Sequence, residues 1–401
     1  MAGRRRAVRG AGCWVALGAL LLGSAGCERA PAPADARSAA VQRVLDRRAD
    51  AVLDGDATAY RETGGADPYL LTDLAAVPLA SWTYRVDRID GTGPRITADA
   101  ELRYRVAGYD SVPVVARRTL TLRRSDGRWR VVGDEPAGKS GRQLWEQGKV
   151  SAVRGAHSLV LGVGQQENVL RSYARLADLA VPAVTAAWGR DWAREVVILV
   201  PGSLDGMGQL LGAPASGYRG IAAVTTGEAG GSGAAPADRV IINPEAYGVL
   251  GSVGKQVVLT HETAHVATRA VTTAATPLWL SEGYADWAGY RDSGRTTAQA
   301  APELQSAVRE GTAPTELPED AAFGFSSDPG RLARAYESGW LACRMIADHW
   351  GEAKLNAFYA AVGRHGDRSG AVESALQNVL GIGEQEFVLR WREYVRRQLG
   401  G

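Results

Sequence analysis

With 401 residues, 45% of them apolar, the chain can close cores for about two or three domains. Its 46 basic and 44 acidic residues leave a formal net charge of +2, which offers no basic face for nucleic acid as a partner. Three cysteines exclude a scaffold built on disulfides.

The first residues carry Arg4, Arg5, Arg6 and Arg9 ahead of an apolar run from Cys13 to Leu22. This is the pattern of an export signal, and the run is too short to span a bilayer. It ends at Ser24-Ala25-Gly26-Cys27, which resembles a bacterial lipobox. The resemblance implies loss of residues 1–26, acylation of Cys27, and residence at the outer face of a membrane through a lipid anchor. Ser24 stands where an aliphatic residue is usual, so simple secretion is the alternative. Residues 27–37 are Ala/Pro-rich and read as a flexible tether. Cleavage removes four arginines and no acidic residue, changing the net charge from +2 to −2. With Cys27 acylated, Cys343 stands alone and no internal disulfide forms.

Residues 38–140 read as a separate module. Val41, Val44, Leu45, Ala49, Val52 and Leu53 recur at helical spacing, predicting a helix over 38–54 that ends at Gly55. A short helix after Asp56 and another over 68–76 follow. Beyond Pro78 the period changes to two: Trp82, Tyr84 and Val86, then Ile96 to Val106, then Leu120 and Leu122. Ser125-Asp126-Gly127 is a hairpin signal leading into Trp129 and Val131. Three helices before an antiparallel meander resemble an NTF2-like or SnoaL-like cone. That likeness implies either a pocket for a ligand or peptide, or a spacer whose aromatic residues are core.

Residues 150–401 form the second unit. Strands are expected at 157–161, 196–200, 220–225 and 239–243, with a helix over 168–188 kinked at Pro182 and a glycine-rich loop at Gly227–Gly233. A helix over 253–270 carries His261-Glu262-Thr263-Ala264-His265. The chain has five histidines, and these two fall four residues apart on one helical face, where both can reach one Zn²⁺. Glu262 is placed to take a proton from water at that metal. Next comes Leu278-Trp279-Leu280-Ser281-Glu282-Gly283-Tyr284-Ala285-Asp286 on a second helix, capped by Ser281 or by Thr276 with Pro277 at its first position. Glu282 is the natural third ligand, and Asp286, one turn on, accepts the free N–H of a ligating histidine. Helices are also expected from Leu332, over 355–362, 371–379 and 384–398.

This combination resembles the gluzincin zinc metallopeptidases, and Pro277 to Trp287 is similar to the peptidase MA-like family. Thr268 and Val271 occupy the places where metzincins need Gly and His, so that branch fails. No G-x-M-x-N motif precedes the helix, and the third ligand lies nearer than in the thermolysin-like and aminopeptidase-like branches. The expected fold class is α+β: an NTF2-like cone followed by a gluzincin-type domain with a mixed sheet, the motif helix and a C-terminal helical subdomain. Gluzincin topology implies an edge strand pairing with extended substrate, a place taken by Val240, Ile241, Ile242 and Asn243. It also implies a tyrosine stabilising the oxyanion. Tyr336 is the candidate, with Tyr284, Tyr290 and His349 as alternatives. The expectation is a membrane-anchored zinc peptidase acting on a peptide or protein substrate, with Glu262 as general base. The alternative is a non-enzymatic lipoprotein with a structural or decayed zinc site, binding a cell-envelope partner.

Overall fold

The computed structural model describes residues 33–226, 237–324 and 329–400. The export signal, Cys27, most of the tether and the glycine-rich loop lie outside the described residues. No described helix is long and apolar enough to cross a membrane.

The N-terminal part is α1 (Pro33–Asp54), α2 (Ala57–Glu62) and α3 (Leu70–Leu74), then β1 (Leu79–Asp90), β2 (Arg95–Val106), β3 (Val114–Ser125) and β4 (Arg128–Pro136). The strands make an antiparallel meander in the order β1-β2-β3-β4. Alternation dictates its faces: Ile96, Ala98, Ala100, Leu102, Tyr104 and Val106 of β2 are all buried. Asp56 caps α2 by accepting from the amides of Thr58 and Ala59. Trp82, Tyr104 and Trp145 pack ring against ring inside the curve. Beside them, the buried Arg118 is bound by Asp134 and Glu146 at 2.7 and 2.6 Å. What remains is a cavity of about 20 Å³, room for one water and not for an organic ligand.

The second sheet holds β5 (Val150–Arg154), β6 (Ser158–Val163), β7 (Val196–Val200), β8 (Ala223–Thr225) and β9 (Arg239–Ile242) in the order β5-β6-β7-β9-β8. Pairs β6–β7 and β7–β9 are parallel; β5–β6 and β8–β9 are antiparallel. Every residue of β6 is buried, which requires cover on both faces. On one face Val160, Ile198, Val240 and Ile242 pack under α4 (Glu167–Trp188) and the helix that carries the histidines. On the other, Leu159, Leu161, Val163 and Val197 join the core of the N-terminal meander. The expected separate module therefore shares its core with the sheet. A buried ion pair crosses the same junction: Arg239 of β9 donates to both oxygens of Asp110, from the β2–β3 turn, at 2.7 Å each.

Beyond the sheet the chain is helical. After α5 (Leu204–Leu211) and α6 (Pro244–Gly248) come α7 (Ser252–Thr268), α8 (Leu278–Tyr290), α9 (Thr297–Ala300) and α10 (Pro302–Arg309). Then follow α11 (Pro329–Trp350), α12 (Glu352–Gly363), α13 (Ala371–Ala375) and α14 (Glu384–Leu399). Pro182 sits inside α4 without ending it. The helices enclose a second core around Trp279, Phe358, Phe387 and Trp391.

Candidate metal centre and active site

Helix α7 runs between the two cores. Leu259 belongs to the sheet-side core, while Ala264 and Ala267 belong to the helical one. Residues 259–265 are all buried, so this helix has no polar face to reveal its period. His261 and His265 share one side of it, with their Nε2 atoms 3.0 Å apart. Glu282 arrives from α8 with Oε2 3.3 Å from the His261 Nε2 and 3.6 Å from the His265 Nε2.

Two glycines hold α8 close enough for this. A Cβ on Gly289 would stand 2.9 Å from the Val257 carbonyl of α7. A Cβ on Gly283 would stand 2.3 Å from the Gly339 carbonyl of α11. Only hydrogen fits at both crossings, so α8 is gripped on two sides and Glu282 is carried between them.

The expected caps of α8 are not those observed. Pro277 is the N-cap residue and makes no side-chain cap. The Thr276 hydroxyl instead accepts from the Thr273 amide, at 3.2 Å. The Leu278 amide donates to Asp320 at 2.9 Å, a carboxylate forty-two residues downstream. Only the tertiary fold brings it there.

The His261 Nδ1 lies 2.8 Å from the Asp286 Oδ1. With that nitrogen held by Asp286, Nε2 is the His261 atom that faces Glu282 and His265. Burial opposes charge on His261, yet Asp286 and Glu282 outweigh it and hold the imidazole pKa well above its usual range. For Glu282, burial is likewise outweighed by the two imidazoles, which hold its carboxyl well below the usual carboxylate range. Two carboxylates against two imidazoles favour a cation at this point.

The three donor atoms fit zinc. Ligands about 2.0–2.2 Å from a tetrahedral centre lie about 3.3–3.6 Å from each other. The observed separations are 3.0, 3.3 and 3.6 Å. Among the described residues, no fourth His, Cys, Asp or Glu joins the cluster. A structural zinc site is normally closed by four protein ligands, whereas a catalytic one keeps a position open.

Glu262 points from α7 toward the sheet, and its Oε2 accepts from the Thr225 hydroxyl at 2.7 Å. Tyr336 of α11 stands beside the cluster, its ring 6.5 Å from that of His261 and edge-on to Phe323. Two of the alternative side chains are engaged elsewhere. Tyr284 is buried and donates to Asn356 at 2.9 Å, and His349 meets Arg397 at the far end of α11. Tyr290 packs on Trp340 yet stays near the cluster: burial and then the Asp286 charge push its hydroxyl up to about 12, while His261 opposes them.

Val240, Ile241, Ile242 and Asn243 do not form the sheet edge. Strand β9 lies between β7 and β8, and all four residues are at most 1% exposed. Asn243 caps α6 by accepting from the amides of Glu245 and Ala246. The edge next to the metal helix is β8. A strand order cannot be read from chain order, but the unbroken Val-Ile-Ile run is the pattern of a strand covered on both faces. Thr225 carried no signal in the sequence beyond its place at the end of an expected strand.

No protein-family model matches the chain, and no curated protein matches it. Among solved structures it is similar to an M1-family zinc metallopeptidase from Deinococcus radiodurans, determined as a single-residue variant. The identity is 14% and the TM-score 0.34, over 79% of this chain and 62% of that one. The same variant bound to a Tyr-Ser-Ala substrate gives 13% and 0.34, over 80% of this chain and 62% of that one. The chain thus spans less than two thirds of these relatives' length, and a likeness at this level carries no inference about activity.

Proposed function

We propose that this chain is a zinc-dependent peptidase. The observation that carries the proposal is the triangle of His261, His265 and Glu282, two of whose sides match a tetrahedral site and the third of which is about 0.3 Å short, beside a buried glutamate that is not one of its corners. A structural zinc site has no use for Glu262, which disfavours the non-enzymatic reading.

When bound, zinc supplies Lewis acidity, lowering the pKa of a water and polarising a scissile carbonyl. The chain's residues do the rest. Asp286 fixes the tautomer of His261, and Glu262 accepts the proton of the attacking water and delivers it to the leaving amine. Tyr336 is the candidate to donate to the carbonyl oxygen as charge develops there, an interaction typically worth about 3–4 kcal/mol. The free side of β8 replaces β9 as the proposed place for extended substrate. The amide of Thr226 and the carbonyl of Ala222 bond to β9, so the backbone groups of Ala223 and Thr225 face away from it. Acylation at Cys27 would hold the enzyme at the outer face of a membrane; release of Cys27→Ala into the medium tests that part.

The deciding experiment incubates the zinc-loaded protein with a diverse peptide library and reads cleavage by mass spectrometry. Glu262→Gln should keep stoichiometric zinc and lose turnover. Equal cleavage by this variant would remove Glu262 from the mechanism. Silence of the wild type with zinc bound would turn attention to the binding-lipoprotein reading.

A further inference from the structure

Thr225 ends β8 with a fully buried side chain, and its hydroxyl reaches across to α7. Its Oγ1 lies 2.7 Å from the Glu262 Oε2 and 3.1 Å from the Glu262 backbone oxygen. A hydroxyl has one proton to give, and a charged oxygen at the shorter distance is the better acceptor. The bond therefore belongs to the carboxylate.

A glutamate on a helix does not define its own carboxylate plane, because its last torsion is broad. Threonine, branched at Cβ, has few rotamers and makes a stiffer donor. The strand beneath it is also held from several sides. Thr225 pairs with Val240, the Thr226 amide donates to the Arg239 carbonyl at 2.8 Å, and the Thr226 carbonyl accepts from Arg269 at 3.0 Å. Arg239 is in turn fixed by the buried Asp110 of the N-terminal meander. A short chain of bonds thus runs from the meander through β9 and β8 to the carboxylate of Glu262.

The geometry points to Thr225 as the positioning residue for Glu262: it bonds Oε2 and sets the plane in which the glutamate meets the attacking water. This inference rests on the peptidase reading given above. In this role the Thr225 side chain acts only through Glu262, while any contact with substrate is left to its backbone.

The test compares zinc-loaded wild type with Thr225→Val, which keeps the shape and drops the hydroxyl, and with Thr225→Ser, which keeps the hydroxyl. Zinc stoichiometry should be equal in all three. In Thr225→Val, kcat should fall about tenfold with KM within about twofold, because the contact orients a reacting group and binds no substrate. Thr225→Ser should recover most of the rate. Wild-type kcat in Thr225→Val overturns the assignment, as does a loss in both variants, which would mark a packing role. If wild type proves silent, the peptidase reading fails, and crystal structures of the same proteins decide the point instead. A Glu262 carboxylate that turns or splits in Thr225→Val alone supports positioning. One that stays in place overturns it.

Discussion

Gly283→Ala tests whether the crossing of α8 and α11 is what places Glu282. The added Cβ would lie 2.3 Å from the Gly339 carbonyl oxygen and 2.4 Å from its carbon, where ordinary contact begins near 3.4 Å. The obstructing atoms are backbone, so no side chain can swing aside and the helices must part by about 1 Å. Overpacking of this kind costs about 1–3 kcal/mol, and the rigidity of both walls places it at the upper end. Alanine returns about 1 kcal/mol of helix propensity. The net loss is about 2 kcal/mol, or roughly 2–4 °C in melting temperature for a unit of this size. Because Glu282 is the adjacent residue, the shift should also weaken zinc binding about tenfold. Gly254→Ala on α7 is the control, since its Cβ would meet only the Leu250 side chain at 3.6 Å. It should melt at or slightly above wild type. Thermal unfolding followed by circular dichroism gives the first quantity, and chelator competition the second. A Gly283→Ala protein as stable as wild type, with unchanged zinc affinity, would refute the reasoning and leave Glu282 positioned by something else.

Asp286→Asn should keep the fold and lower zinc affinity about 10–100-fold, since it removes the charged partner of the His261 N–H. Chelator competition reads this, and an unchanged affinity would reduce Asp286 to a bystander. Burial pushes Glu337 of α11 up to about 7 from an ordinary 4.5, although the amides of Glu303 and Leu304 donate to it. A raised carboxyl favours the protonated folded state, so its stabilising contribution is full below the ordinary value and is lost as pH climbs through 7. Urea midpoints at about pH 5 and about pH 8 should show wild type losing ground to Glu337→Gln. A difference independent of pH would cancel this reading. Residues 150–401 alone should aggregate, since removing the meander bares Leu159, Leu161, Val163 and Val197. A soluble, zinc-binding fragment would show that the shared core is dispensable.

The candidate zinc ligands were legible because their geometry is mostly local. Spacing of four along one helix brings two imidazoles together whatever the rest of the chain does, and Glu282 and Asp286 share a face of the next helix by the same rule. What the sequence hid is what depends on the fold. Asp320 as the cap of α8, Thr225 as the partner of Glu262, and the glycine crossings at Gly283 and Gly289 all join residues distant in sequence. The expected edge strand was misplaced for the same reason: nothing local says that β8, which comes first in the chain, ends up outside β9.

The boundary between the two parts of the chain shows how a local reading goes wrong. A composition shift and a change of hydrophobic period near residue 140 suggest independent units, and each part does hold its own sheet. Yet Ser158–Val163 is apolar at almost every position, and a strand with no polar face must be covered twice. Helix α4 supplies one cover, and the meander is the other. The Arg239–Asp110 pair follows the same logic, because a buried charge on β9 is tolerable only with its counter-ion supplied from the facing layer. The small cavity inside the meander agrees, since a body with room for no more than a water serves better as a wall than as a receptor. The N-terminal part is then one layer of a body that it shares with the second sheet. Its most direct link to the chemistry is the chain of contacts from Asp110 through Arg239 to the strand that bears Thr225.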